Sequence, residues 1–469
     1  MSSVFLLSDS PVKFGTSGVR GLVEELSHEV CYAYATAFWR AAGAGDRVVI
    51  GHDLRPSSPV MTQACLAAMR DLGVNVDYVG ALPTPAIAYY ASLQNVPAIV
   101  ITGSHIPFDR NGIKFYRREG EITKADEEAM LAQVVEIPAN ISLSELPAPD
   151  AVALNSYIAR YKSFFEGVLY GKKIAVYQHS SVARDVIVEL FEALGAEVVA
   201  LGRTETFVPI DTEAVRPEDV AQAAEWAKAI GFDAIVSTDG DADRPLIGDE
   251  HGQWLRGDIV GVLTAQYLKA DYVVTPVSSN SALERSHQFS DCVRTKIGSP
   301  YVLAAMDNAP KGATVLGYEA NGGVLLGSDV VKHGQRLKAL PTRDAILPML
   351  AIFALAADQK CPVSQLMAAL PARYTHSDRI QNFATEKSRA LIAALAAGEI
   401  STERVMAPDS GEAVSKDLTD GYRVTFSSGD IVHLRPSGNA PELRCYAESE
   451  SVARAKQLCD ACLKAVQRA

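Results

Sequence analysis

The chain lacks a basic surplus: 44 Lys and Arg stand against 56 Asp and Glu, a formal net charge of −12 over 469 residues. A field of that sign repels polyanions, so nucleic acid is excluded as a general partner, while locally basic pockets for small phosphates remain open. Long apolar runs are missing as well. The longest unbroken apolar run, Ala345 to Ala357, is thirteen residues with Pro348 inside it; it is too short to span a bilayer and reads as a buried helix. The start has only a brief apolar patch, Val4 to Leu7, with no positive region before it, which is not the layout of a secretory signal. Seven cysteines, an odd number scattered along the chain, make no disulfide framework and fit reduced thiols in a cytoplasmic protein. Cys459 and Cys462 form one CxxC inside an amphipathic pattern, without the second pair a zinc site requires. GxSxG, Walker A and GxGxxG are all absent, which leaves a hydrolase elbow and nucleotide use without support.

What is present is a soluble, globular composition, 48% apolar and 21% charged, long enough for three to four domains at roughly 150 residues each. RVVIGHDLRPSSPVMTQACLAAMRDLGVNVDYVG reads as strand, helix, Gly73 stop and strand, and Ser27 caps a helix before it. The same order recurs from Lys172 and again from Asp271. Strand-helix-strand units of this kind imply parallel pairing. The fold class expected is therefore α/β: three similar mixed or parallel units, then a smaller C-terminal α+β domain whose strands GYRVTFSS and DIVHLRPS turn through Gly429. The boundaries fall at residues 1–150, 151–254, 255–364 and 365–469.

Four loops carry chemistry. In AIVITGSHIPFDRNGIKFY an apolar strand breaks at Gly103 and is followed by Ser104, His105 and Lys114, a hydroxyl and a cation at a strand's carboxyl end, though a polar turn reads the same. DGDADR places Asp239, Asp241 and Asp243 at alternate positions, so three carboxylates crowd one side and repel unless a cation lies among them; oxygen donors of this kind suit Mg²⁺ or Ca²⁺. An EF-hand loop fails at its sixth place, where Arg244 stands instead of Gly. A haloacid-dehalogenase-like phosphatase matches only in part, because Arg244 and Pro245 follow Asp243. GYEANGG sets Glu319 and Asn321 two apart on a glycine-rich loop, suited to sugar hydroxyls. RPSGNAPELR supplies Arg435, Ser437, Gly438, Asn439 and Arg444 for phosphate oxygens, or else forms a hairpin end. All but the last of these loops follow an apolar strand. The opening KFGTSGVRG adds Arg20 among glycines.

In this order and spacing, from FGTSGVRG through TGSHIP, NGIK, DGDADR and YEANGG to RPSGNAP, the chain resembles the α-D-phosphohexomutase family, and within it looks most like the bacterial phosphomannomutase/phosphoglucomutase branch. The resemblance implies four domains around one central cleft and an intramolecular phosphotransferase that moves phosphate between C6 and C1 of a hexose. It implies that Ser104 carries the transferable phosphoryl, and that Mg²⁺ is bound by Asp239, Asp241 and Asp243 with a phosphate oxygen of Ser104. Arg20, Lys114 and Arg244 would surround the transferring group, with His105 and Lys114 as candidates for moving the proton. Lys296 would contact bound sugar phosphate, Glu319 and Asn321 would hold hydroxyls, and Arg435, Ser437, Gly438, Asn439 and Arg444 would grip the phosphate at rest. A hexose 1,6-bisphosphate would be the intermediate and the priming activator. The implied partners are hexose phosphates, with no nucleic acid and no membrane, and the chain would be a monomer or dimer.

Several positions depart from the pattern. The serine loop reads GSHIP where relatives more often have ASHNP. In the sugar loop, usually GExSGH, Ser becomes Asn321 and the His is absent, with Gly323 in its place. Asn439 and Ala440 replace a more usual Thr and Glu. The expected substrate is mannose phosphate, with glucose phosphate second. Phosphoglucosamine mutase is the alternative within the class, against which Ser17 stands where that branch more often has Asp. A phosphosugar-binding protein that has lost activity is the alternative outside it, against which Ser104, Lys114 and the three aspartates stand.

Overall fold

The strand Ala98–Ile101 is buried at every residue, and what surrounds it recurs twice more in the computed structural model, which describes residues 3–15, 18–43, 45–437 and 441–468. Its neighbour on one side is the parallel strand Arg47–His52, flanked in turn by parallel Asn75–Ala81; on the other side Arg110–Arg117 returns antiparallel. The second unit repeats this around Ala234–Thr238, with Lys173–Tyr177 and Glu197–Leu201 parallel and Pro245–Gly248 antiparallel. In the third unit Val315–Tyr318 takes the same place between parallel Tyr272–Pro276 and antiparallel Val324–Leu326. The parallel strands are joined by helices such as Ser58–Asp71 and Thr84–Gln94 in the first unit and Arg184–Ala193 in the second. These apolar runs need cover on both faces, and the helices provide it.

The serine, aspartate and glutamate loops are thus one structural feature used three times. Each joins the innermost parallel strand to its antiparallel return, at the carboxyl end where a sheet leaves room for a ligand. Each turns through a left-handed residue: Ser104 at φ 53°, Ala242 at φ 58° and Gly322 at φ 88°.

The last unit is an antiparallel sheet in the spatial order Tyr374–Ile380, Leu443–Ser449, Ile431–Pro436, Tyr422–Phe426, Ala413–Asp417. Helix Val452–Arg468 covers it with Ala455, Leu458, Cys459, Cys462, Leu463 and Val466, a spacing of three and four that makes one apolar face. The two CxxC thiols belong to that face and to the core. One expectation is corrected here: the arginine loop also follows a largely apolar strand, with Ile431, Val432 and Leu434 buried. The polar alternation of His433 and Arg435 hid it.

The stretch expected to be a buried helix is Ile346–Gln359, buried from Ile346 to Ala356. Pro348 sits in its first turn, where its missing N–H costs no helical hydrogen bond. Among the described residues no helix is long and apolar enough to cross a membrane. One core cluster runs through the first three units, a second lies on the far face of the first sheet, and a third fills the last unit.

Candidate active site

Strand alternation decides which side chains of the first sheet face the other units. Ile99, Ile101, Ile113 and Phe115 enter the core of the far face, whereas Ala98, Val100 and Tyr116 join the core shared with the second and third units. Lys114 lies between Ile113 and Phe115 and so faces inward, paired with Val100 on one side and Gly18 on the other. Its ammonium donates to Asp241 Oδ2 at 2.7 Å and to Asp243 Oδ2 at 2.6 Å. Burial works against that charge, but the two carboxylates outweigh it and hold Lys114 above the usual lysine range.

Ser104 is 1% exposed. Its hydroxyl donates to Asp239 Oδ2 at 2.6 Å, with His105 Nδ1 3.3 Å away. A non-glycine residue held at positive φ requires surroundings that fix it, and two residues absent from the sequence-based set supply them. Asp53 Oδ2 accepts from Thr102 Oγ1 and from Gly103 N, and Thr102 Oγ1 accepts from Ser104 N. Arg55 donates to four carbonyls of the same loop, those of Ser104, Ile106, Pro107 and Arg110, at 2.6 to 3.0 Å. A methyl group on Gly103 would stand 2.5 Å from the Arg55 guanidinium carbon, so that glycine is required for the arginine to pass. The signal was legible: HDLR follows an apolar strand next to the serine strand, so its loop ends at the same edge of the sheet.

The aspartates form the one cluster of metal-type donors found among the described residues, their ligand atoms within 4.8 Å of one another. All three are buried. Burial, then Asp241 and Asp243, push Asp239 well above the usual carboxylate range. Burial acts the same way on Asp243, but Arg343, Lys114 and Arg244 overcome it and hold that carboxyl far below the range. Asp241 is also fixed by Thr84, whose hydroxyl donates to Oδ2 at 2.6 Å. Asp241 Oδ1 and Asp243 Oδ1 are buried without a hydrogen-bond partner. Orphaned anionic oxygens are costly unless a cation completes them, and an all-oxygen set suits Mg²⁺; the residues fit a divalent ion.

His105, Arg20, Arg244, Glu319, Asn321, Arg343, Arg435, Ser437 and Arg444 line one cavity of about 360 Å³. Segments from all four units therefore meet there, with Ser104, Lys114 and the aspartates beneath the floor. Burial first, then Arg244 and Arg343, pulls Arg20 down to about 10, which leaves it charged at pH 7. Burial, then Arg244 and Arg20, keeps the His105 imidazole well below its usual range and neutral. Asn321 is held by Gly323 N, which donates to its Oδ1 at 2.9 Å, and by the Thr212 hydroxyl on its carbonyl. Arg435 Nε donates to Asp420 Oδ2, which also accepts from Ile297 N of the third unit. Lys296 itself is exposed, its ammonium 5.8 Å from the Tyr301 ring centre, and its neighbours Ile297, Gly298 and Tyr301 line the cavity. Gly438 and Asn439, like Ser17, lie outside the described residues. Sequence reasoning also missed Glu213, which lines the cavity from the second unit, and Arg343, a lone basic residue before an apolar helix.

Family models cover the chain in four parts: phosphoglucomutase/phosphomannomutase alpha/beta/alpha domain I over residues 11–140, domain II over 156–252, domain III over 256–374 and the C-terminal domain over 382–465. A phosphomannomutase of Salmonella muenchen is 47% identical over 453 residues, covering 95% of this chain and 94% of its own. A phosphomannomutase of Sinorhizobium fredii is 44% identical over 460 residues, covering 95% and 97%. The fold of a putative phosphomannomutase from Thermus thermophilus superposes with a TM-score of 0.78 at 20% identity, covering all of both chains. With likeness at this level in every unit, the chain belongs to the phosphoglucomutase/phosphomannomutase family and is a phosphohexomutase, an isomerase that works by phosphoryl transfer.

Proposed function

We propose that this phosphohexomutase interconverts mannose 6-phosphate and mannose 1-phosphate, and the glucose pair more slowly, with Ser104 as the store of the migrating phosphoryl. The observation that carries the reading is the contact of the buried Ser104 hydroxyl with Asp239 at 2.6 Å, directly beneath a cleft walled by Arg20, Arg244, Arg435 and Arg444. The names of the two relatives above support mannose as the preferred sugar.

Phosphoryl transfer leaves the protein little covalent work beyond positioning and charge neutralisation. A hexose 6-phosphate enters with its phosphate on Arg435, Ser437 and Arg444, and Glu319 and Asn321 hold its hydroxyls. The bond between Ser104 Oγ and phosphorus breaks as the C1 oxygen bonds to phosphorus; the proton of the C1 hydroxyl ends on Ser104 Oγ. His105, 3.3 Å from that oxygen and neutral, is the side chain placed to pass the proton. Lys114 keeps its proton and acts as a fixed cation. Arg20 and Arg244 meet the charge on the phosphoryl oxygens. Asp239, Asp241, Asp243 and a Ser104 phosphate oxygen would hold Mg²⁺, which when bound supplies further neutralisation of the transferring group. The hexose 1,6-bisphosphate then turns over in the cleft, its 1-phosphate takes the arginine clamp, and Ser104 recovers a phosphoryl from C6. A trace of bisphosphate primes any unphosphorylated enzyme.

Peptide mass analysis of purified protein is expected to find phosphate on Ser104 in part of the molecules. Ser104→Ala is expected to lose nearly all mutase activity while still binding mannose 6-phosphate by calorimetry; full activity in that variant overturns the mechanism. Turnover of mannose, glucose and glucosamine phosphates side by side tests the sugar, and equal or greater activity on the aminosugar overturns the preference.

A further inference from the structure

Arg343 stands near the end of strand Leu340–Asp344, beside Val324–Leu326, and its side chain is 3% exposed. Nε and Nη2 both donate to Asp243 Oδ2, at 3.0 and 2.8 Å, while Nη1 donates to Glu319 Oε2 at 2.9 Å. One planar fork thus ties the aspartate loop of the second unit to the sugar loop of the third. Lysine could not copy this, because an ammonium offers its donors from a single point.

The fork reaches both loops by passing over Gly323. A methyl group built there would lie 2.8 Å from Arg343 Cδ and 3.0 Å from Cγ, nearer than packed carbons approach. Gly323 is not among the residues at positive φ, so the backbone does not ask for glycine at this position. The missing side chain makes room for the arginine.

We propose that Arg343 is a positioning residue for the phosphoryl transfer, admitted by Gly323, and that it sets the aim of two carboxylates at once. By holding Oε2 of Glu319 it fixes the direction of Oε1 toward a sugar hydroxyl. Together with Lys114 it occupies Oδ2 of Asp243 and leaves Oδ1, which is buried, accepts no hydrogen bond and has only the Arg244 Nε 3.6 Å away, for a cation. The sugar loop, which has no cation of its own, borrows one from the neighbouring strand. This inference rests on the reading of Glu319 as a contact to the sugar.

The test is a kinetic double-mutant cycle with Gly323→Ala and Arg343→Ala, with thermal unfolding of each variant alongside. Arg343→Ala is expected to lower kcat/KM about 100-fold, with KM for mannose 1-phosphate raised about tenfold, as for loss of a group that aligns both substrate and reacting atoms. Gly323→Ala is expected to cost about tenfold in the parent protein but less than about twofold when Arg343 is already alanine, because the methyl then enters vacated space. Where Arg343→Ala does not fold, Arg343→Ser, which likewise has no Cδ, takes its place in the cycle with the same expected non-additivity. Equal costs of Gly323→Ala in both backgrounds overturn the inference. So does a folded Arg343→Ala with parental KM and kcat and only a lowered unfolding temperature, the signature of a merely structural arginine. Glu319→Gln separates the two readings: an unchanged KM there overturns the sugar contact and the inference with it. A raised KM there, with Arg343→Ala kinetically silent, overturns the inference alone.

Discussion

Ser104 and Asp239, 135 residues apart, share a proton across the junction of the first two units at 2.6 Å. That contact is favourable because the serine oxygen is a donor. A phosphoryl group on the same oxygen removes the donor and sets a dianion beside three buried carboxylates, a repulsion that only a cation can offset at this range. Phosphorylation and metal binding must then favour one another by the same factor, since coupling of two binding events is reciprocal. Calorimetric titration with Mg²⁺ is expected to show at least about tenfold tighter binding to phosphorylated protein than to phosphatase-treated protein. Equal affinities would separate the serine from the metal.

The left-handed turn at Ser104 depends on Arg55, which is 1% exposed and lies 3.4 Å from Asp53 through its Nε. Arg55→Ala leaves a buried carboxylate without its ionic partner and four loop carbonyls without their donor, a loss of about 3 to 5 kcal/mol in stability. Arg55→Lys keeps the charge and loses the fork. It is expected to fold with a lowered unfolding temperature and to lose kcat by more than tenfold with KM changed little, because the damage is to the aim of the serine and not to the sugar or phosphate contacts. Stopped or coupled assays over a range of mannose 1-phosphate separate the two parameters.

The repeat of the α/β unit was legible because strands such as Ala98–Ile101 and Ala234–Thr238 are short apolar runs ending in polar residues, and the serine, aspartate and glutamate loops follow such runs. The residues that only the fold reveals share another property: they act from neighbouring strands or helix starts. Thr84 reads as the opening of a helix and Arg343 as the flank of a hydrophobic helix; each meets an aspartate of the second unit only when packing brings that unit against it. Periodicity reports which face of an element is buried, not what is buried against it. Lys296 shows the converse, a residue chosen by its motif whose side chain faces solvent while its neighbours form the wall.

Two histidines outside the cleft weaken the fold in acid. His179 and His433 are buried, each with Nε2 facing a backbone carbonyl, of Thr238 and Asp420, and with Nδ1 unpartnered. Burial lowers both to about 4, whereas an unfolded chain titrates histidine near 6.5. Below pH 6.5 the unfolded state therefore binds more protons than the folded one, so stability is full above that pH and falls as pH drops toward 4, by up to about 3 kcal/mol for each residue. Denaturant midpoints measured between pH 7 and pH 4 are expected to fall accordingly. The double variant His179→Gln with His433→Gln should start lower at pH 7 and show a flatter slope through this window.

The arginine clamp yields a prediction about symmetry. In the proposed cycle the phosphate at C6 and the phosphate at C1 each occupy Arg435, Ser437 and Arg444 in turn, since the sugar turns over while the clamp stays in place. Arg435 is held for that purpose by Asp420, which also fixes Ile297 of the third unit, so the clamp and the far wall of the cleft are set by one carboxylate. Loss of a charged, forked donor to phosphate is worth about 2 kcal/mol, or roughly 30-fold in affinity. Arg435→Ala is therefore expected to raise KM by about that factor for both mannose 6-phosphate and mannose 1-phosphate, by nearly equal amounts, with Ser104 still phosphorylated in the purified variant. Asp420→Asn should do the same to a smaller extent, because the guanidinium remains but loses its ionic partner. A rise in KM for only one of the two substrates would mean that the phosphates use different sites, and the sugar would then have no need to turn over in the cleft.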